Sequence, residues 1–364
     1  MFKLDLGADL EPGSEPVPIT EMTATNLTSP VWLPGGDGIL LSTGRLALAP
    51  VRRGAPLQNL GVDRRIEDLA YNAASNRLVY SVNQSEANVW GVALSGPGEA
   101  VGAPVPVIRS SYLDQQASLS PDGSRIAFWS SRTGEAEVWI ADRDGSNAVQ
   151  ITQVEGAGIS HPRWSPDGRK LLFASGLDDA NFDLYAIPAD GGKMERLTIH
   201  PAFDRHGEWD PDMEWIYFQS TRGGDSGCYR MPSEGGEAAR VVDGVAALCG
   251  LSPDGTRLYY RPDRLEDVLA VMPLDGGEPT RIELGFAYRF FEPAETGAYF
   301  LSGRPEGPGT VIRYLEFESG ETHTVVETSV PPLSGLSVSR DQSFLVWGQQ
   351  DRAGSDLMLI EDFH

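Results

Sequence analysis

Four stretches of the chain repeat one alternation of apolar and polar positions: LSPDGSRIAF from Leu119, WSPDGRKLLF from Trp164, WDPDMEWIYF from Trp209 and LSPDGTRLYY from Leu251. In each, a short apolar strand runs into Ser-Pro-Asp-Gly or a relative of it. Pro presets φ and Asp-Gly supplies the turn, so a hairpin follows. The next strand is apolar (RIAFWS), a polar loop follows (SRTGEAE), and a third strand alternates, as in EVWIAD or FDLYAIP. A second turn, at Asp144-Gly145, Asp190-Gly191-Gly192, Glu234-Gly235-Gly236 or Asp275-Gly276-Gly277, leads into a more polar fourth strand such as AVQIT, MERLT or AARVV. Looser copies start at Trp32, Tyr71, Phe291 and Val338, which makes eight units with a period of about 44 residues. Four antiparallel strands per ~40–45 residues, repeated, predict propeller blades, because one blade alone cannot bury both of its faces.

The pattern therefore predicts an all-β chain: a single β-propeller domain over residues 1–364 with eight four-stranded antiparallel blades, or seven if the short copy from Trp32 is not a full blade. The blades begin near Ser29, Asp68, Gln116, His161, His206, Leu248, Tyr288 and Gly335. Residues 1–20 read as third and fourth strands without a first pair, and the last unit stops after its third strand, DLMLI. The N- and C-terminal strands are thus expected to close the ring, with residues 1–20 as latch strands and PVPIT pairing with DLMLI.

Composition agrees with many short elements. Gly 41 and Pro 26 of 364 residues are about 18% of the chain, against roughly 12% on average. Lys and Arg number 29 and Asp and Glu 52, a net charge of −23. Phosphate backbones repel such a surface, so direct nucleic-acid binding is not expected. No apolar run approaches the ~20 residues of a membrane helix, and MFKLDLGADLEPGSEP has no apolar signal core. The expectation is a soluble chain with no membrane span and no export signal. Two cysteines, Cys228 and Cys249, fall on a third strand and on the first strand of the next unit, and are expected as unpaired thiols.

The xxWSPDGxxIAF…xIWxxDxDGxxxxxLT pattern resembles the TolB-like propeller repeats, relatives of the WD repeats, over Phe2 to Phe363. PSEGGEA, LSPDGTRLYY and the tail DRAGSDLMLIEDF are similar to the C-terminal propeller of bacterial winged-helix transcriptional regulators. The resemblance implies a periplasmic or cytoplasmic domain of a bacterial protein that serves as a binding platform. Such folds host many unrelated functions. The expected function is non-catalytic recognition of a protein or small-molecule ligand at the channel mouth, as in a sensor domain. No cofactor is expected. The alternative is a metal-assisted lyase or hydrolase on acidic sugars, since some TolB-like lyases bind a metal through a His/Gln cluster at such a rim.

The candidate site follows from the repeat. His161 lies three residues before Trp164 and His206 three before Trp209, so they hold one position in adjacent blades. With Asp68 and Gln116 at the same position, they make four consecutive polar side chains around half of the rim, with Asp204, Arg205 and Arg289 close by in sequence. Gly224-Asp225-Ser226-Gly227 spells a serine-protease nucleophile segment, but it sits in an inter-strand loop without its scaffold. Asp142-Arg143-Asp144-Gly145-Ser146-Asn147 lacks EF-hand spacing and reads as a turn. Trp32, Trp164 and Trp209 recur at one first-strand position, and Trp90, Trp139, Tyr185 and Tyr229 at one third-strand position; both sets are expected in the core.

Overall fold

The computed structural model describes residues 2–3, 17–18, 28–42, 46–51, 56–61, 66–154, 158–177, 181–242, 247–262, 267–284, 288–303, 310–328 and 332–363. The described regular structure is entirely β, and no helix is long and apolar enough to cross a membrane. The described strands form seven four-stranded antiparallel sheets, one three-stranded sheet and one two-stranded ribbon. The eight larger sheets equal the eight repeats in number, with the repeats from Tyr71 and Val338 exchanging strands, and the all-β propeller architecture stands. The chain groups into two compact units, residues 1–85 with 352–364, and residues 86–351.

In the first unit, Thr28–Trp32, Gly38–Ser42, Leu46–Pro50 and Gln58–Asn59 make a four-stranded sheet. Ile66–Asn72, Arg77–Asn83 and Ser355–Ile360 make the three-stranded one. The expected latch pairing is corrected here. The DLMLI strand lies against Arg77–Asn83, with Met358 opposite Tyr80, while Val17–Pro18 pairs with Phe2–Lys3. Packing decides this, because Met358, Ile360 and Phe363 cover the apolar cluster of Leu69, Leu78 and Val82. The remainder of the 1–20 segment lies outside the described residues. Trp32 is also corrected: it is 49% exposed, and its sheet has no four-stranded predecessor among the described residues to pack upon.

The second unit is a ring of six blades. Blade 1 is Asp114–Leu119, Arg125–Ser130, Glu137–Asp142 and Val149–Gln150. Blade 2 spans Ile159–Trp164 to Glu195–Arg196, blade 3 Asp204–Trp209 to Ala239–Arg240, blade 4 Ala247–Leu251 to Thr280–Glu283, and blade 5 Tyr288–Pro293 to Thr322–Thr328. Blade 6 joins the two ends of the unit: Pro332–Val338 and Phe344–Arg352 supply its inner strands, and Glu86–Gly96 and Glu99–Ile108 its outer ones. The first strands touch in order from blade 1 to blade 6, and Pro332–Val338 returns to Asp114–Leu119. Cores lie between neighbours. Ala127, Val138 and Ile140 of blade 1 pack on Trp164, Leu171 and Phe173 of blade 2, and Leu172 and Leu184 of blade 2 on Trp209, Ile216 and Phe218 of blade 3. Each fully buried Val, Leu, Ile or Phe among these contributes ~1.5–3 kcal/mol.

Cys228 and Cys249 form a disulfide, which corrects the expectation of two thiols. The first strand of blade 4 packs on the third strand of blade 3, bringing the two Cα atoms to 6.0 Å. Rank within the blade did not separate the two residues, because neighbouring blades overlap face to face.

Candidate functional site

The inner strands of blades 1 to 4 each break register once. The ladder skips between Gln115 and Ser118, Ser160 and Arg163, Arg205 and Glu208, and Ala247 and Gly250. At each skip one residue takes a left-handed backbone: Gln116 (φ 54°), His161 (56°), His206 (53°) and Leu248 (54°). In blade 6 the equivalent is Gly335 (φ 71°), where an added Cβ would come within 2.3 Å of the Gln116 Cα. These are β-bulges, which re-aim side chains at a sheet edge. They are held from behind. The Asp114 carboxylate accepts from the Ser130 hydroxyl at 2.5 Å and from Arg132 at 3.0 Å, and Asp204 likewise accepts from Arg222 at 2.6 Å.

The bulges turn Gln116, His161 and His206 toward one another. The His161 amide donates to the Gln116 side-chain oxygen at 2.6 Å, and the imidazoles of His161 and His206 lie with centroids 3.8 Å apart at an interplanar angle of 53°. Both histidines are half-buried and border a cavity of the channel. Burial pushes the His206 pKa down to about 3, with Arg205 and Arg163 adding to the effect. His161 is held well below its ordinary value by burial first, then by His206, Arg163 and Arg205. The pair is neutral at pH 7. Asp68 lies on the corresponding bulge of the first unit, exposed, its amide donating to the Ser81 hydroxyl at 3.0 Å. The side chains of Ser29, Tyr288 and Arg289 are outside the described residues.

Deeper in the channel, the blades place Ser118, Arg163, Glu208, Gly250, Glu292 and Ser337 at one level, since each sits opposite the same second-strand position. Arg163 forks onto Glu292 with contacts of 2.9 and 3.2 Å. Glu208 accepts the Leu251 amide at 3.0 Å, and Ser337 accepts the Leu119 amide at 3.1 Å. Burial raises the Glu208 pKa to about 7, with the Glu292 charge adding to it, against the pull of Arg163 and the Leu251 amide. Burial raises Glu292 too, and Arg163 opposes it. A cavity of about 60 Å³ lies on the histidine side of this waist. One of about 190 Å³ lies on the other, ringed by the Ser-Pro turns of the hairpins and walled by Trp164 and Trp209. Arg163, Glu208 and Glu292 border both.

The sequence reading brought His161 and His206 together but missed the waist. Arg163 and Glu208 were visible as the residues preceding the repeat Trp. Glu292 was hidden by register. Its hairpin closes from Pro293 to Ala298, two residues tighter than Trp164 to Leu171, so Pro293 and not Phe291 occupies the Trp position. Of the expected core aromatics, Trp164, Trp209, Tyr185 and Tyr229 are buried, while Trp90 and Trp139 are only partly so.

The donor set does not fit a metal. Among the described residues no three His, Cys, Asp or Glu side chains converge, and the Gln116 oxygen is already engaged by the His161 amide. The Gly224–Gly227 segment sits in the hairpin joining the second and third strands of blade 3, with the Ser226 hydroxyl accepting from Gln219. In the Asp142–Asn147 turn, Asn147 donates to Asp142 at 2.7 Å.

Residues 77–286 match the family described as the TolB beta propeller domain. An uncharacterized protein of Agrobacterium fabrum is 26% identical over 180 residues, 46% of this chain and 60% of that protein. An uncharacterized peptidase of Bacillus subtilis is 33% identical over 112 residues, 29% of this chain and 17% of the peptidase. The chain thus spans less than two thirds of either relative. Among solved structures, a putative TolB from Agrobacterium tumefaciens superposes with a TM-score of 0.61 at 17% identity, covering 74% of this chain and 99% of that one. TolB from Acinetobacter baumannii does so at 0.50 and 18% identity, covering 89% and 79%. At these identities the likeness is one of fold.

Proposed function

Because the chain belongs to the TolB beta propeller family, we propose that it is a non-catalytic recognition module that binds its ligand in the channel of the second unit. The observation that carries this reading is the arrangement of the channel groups. The Gln116–His161 contact, the Arg163–Glu292 fork and the Glu208–Leu251 contact fix polar groups around the two channel cavities. Pre-positioned polar groups in a mostly pre-formed concave site are what ligand binding requires. The same proposal extends to a sensor role, in which the ligand or a partner protein at the mouth reports to a domain elsewhere in a longer protein.

The test is a melting-temperature screen of the chain against charged metabolites and short peptides. A ligand of the channel raises the melting temperature of the wild type and loses that effect in His161→Gln and His206→Gln. Hits that survive both substitutions would place recognition elsewhere. Turnover of an oligo-uronide in the presence of a divalent metal would replace the reading with the lyase alternative.

A further inference from the structure

The waist is asymmetric in charge and in size. In blade order the level reads Ser118, Arg163, Glu208, Gly250, Glu292 and Ser337, so the Arg163–Glu292 pair spans the ring from blade 2 to blade 5, and the small residues are Gly250 between the two acids and the neighbouring Ser337 and Ser118. Arg163 spends its guanidinium on Glu292 through both nitrogens, and burial opposes its charge less than Glu292 and Glu208 favour it. One cation therefore serves two acids. Glu208 has as its described polar partner only the Leu251 amide, a neutral donor on one of its two oxygens. A carboxylate in a narrow, half-buried channel is costly unless a cation meets it. The cavity that Glu208 borders supplies the room, about 190 Å³.

The walls of that cavity specify what kind of cation. They carry Trp164 and Trp209, 7% and 5% exposed, together with the proline rings of the hairpin turns. The Trp209 indole N–H finds no acceptor among the described residues. Arg125 already stacks over the Trp164 ring at 4.6 Å, so these walls offer apolar surface rather than a free aromatic face, which favours an organic cation with an alkyl body over a bare, strongly hydrated ion.

Resting on the reading that the channel is the binding site, we propose that the waist is the receptor for a small organic amine. Its ammonium group pairs with Glu208, and its body lies toward the Ser-Pro mouth between Trp164 and Trp209. Glu292 remains with Arg163, so Glu208 is the selecting residue. A neutral isostere leaves Glu208 as it was and gains only apolar contact.

The experiment is saturation-transfer NMR with butylamine and 1-butanol at pH 8 on the folded chain, followed by titration. Saturation is expected to transfer to butylammonium and not to 1-butanol. Glu208→Gln, which keeps the shape and the contact with the Leu251 amide, should weaken the amine at least tenfold. Glu292→Gln is the second variant. It retains Glu208 but frees Arg163 to pair with it, so amine binding should fall there as well, and melting curves establish that both variants are folded. Equal transfer to the alcohol, full binding in Glu208→Gln, or no transfer to butylammonium from the wild type overturns the proposal. If channel-dependent ligands emerge from the screen above while amines fail, the amine assignment falls and the recognition module stands. If neither binds, both fall.

Discussion

The imidazole of His161 lies against that of His206, centroids 3.8 Å apart, although 45 residues of sequence separate them. Each reaches the channel because its own strand bulges at that residue.

This pair makes stability depend on pH in a defined direction. Both folded pKa values lie below the ~6.5 of an unfolded histidine. Below that value the unfolded chain binds more protons than the folded one. The neutral pair therefore contributes fully above about pH 6.5, and its contribution is lost as pH falls toward the folded values. Each histidine adds at most ~1.4 kcal/mol per pH unit to that slope. Urea midpoints at pH 7, 6 and 5 should fall for the wild type, and His206→Gln should flatten the curve. Parallel curves would show that the pair does not carry the dependence.

Cys228 and Cys249 should be oxidised in protein purified without reductant, giving a mass two units below the dithiol. The disulfide closes a sequence separation of 21 residues across the seam of blades 3 and 4. A loop of that size is worth ~3 kcal/mol in the chain-entropy account. Reduction should lower the melting temperature, and the Cys228→Ala, Cys249→Ala double variant should lose sensitivity to reductant. A reduced mass in the untreated protein would contradict the bridge.

A chain ending at Arg352 loses Ser355–Ile360, the strand that pairs along Arg77–Asn83. It also loses Met358, Ile360 and Phe363 from the apolar cluster of the first unit. Hydrogen exchange should then speed up in residues 66–83, while blades 1–5 keep their protection. The exposed Arg77–Glu361 pair adds little, as surface ion pairs do. Unchanged protection in 66–83 would mean that another segment covers this edge.

What the sequence showed and what it hid have separate physical causes. Asp-Gly turns in blades 1, 2 and 4, and in-register Trp and Leu in all four, made blades 1 to 4 readable, down to the equivalence of His161 and His206. Blade 5 escaped because its turn is two residues tighter, which moved Glu292 out of register with Arg163 and Glu208. Blade 6 escaped because its strands come from opposite ends of the unit, a pairing that no local pattern encodes. The disulfide escaped because spacing along a chain says nothing about how adjacent blades overlap. Gly335 was readable only as a gap in the polar run. In the structure it is the left-handed bulge residue that lets blade 6 close onto the Gln116 backbone.

The waist gives the last prediction. Arg163 is 29% exposed and Glu292 13%, and the fork between them is the only cation-to-acid contact described at this level. Arg163→Met removes the cation and leaves two carboxylates facing one cavity. Breaking a fully buried pair from one side costs ~3–5 kcal/mol, and partial exposure here should reduce that. The loss must grow with pH. The folded pKa of Glu208 is already about 7, and burial raises that of Glu292 as well; without Arg163 both rise further. A raised carboxylate pKa gives stability that is full below the unfolded ~4.3 and is lost as pH rises through the folded value. At pH 5 the variant can protonate both acids and should approach the wild type; at pH 8 it cannot and should melt well below it. The Arg163→Met, Glu292→Gln double variant should recover part of the difference at pH 8. Urea denaturation at the two pH values reads this out. A melting penalty for Arg163→Met that is equal at pH 5 and pH 8 would mean that Arg163 acts through packing alone and that the waist is not an electrostatic device.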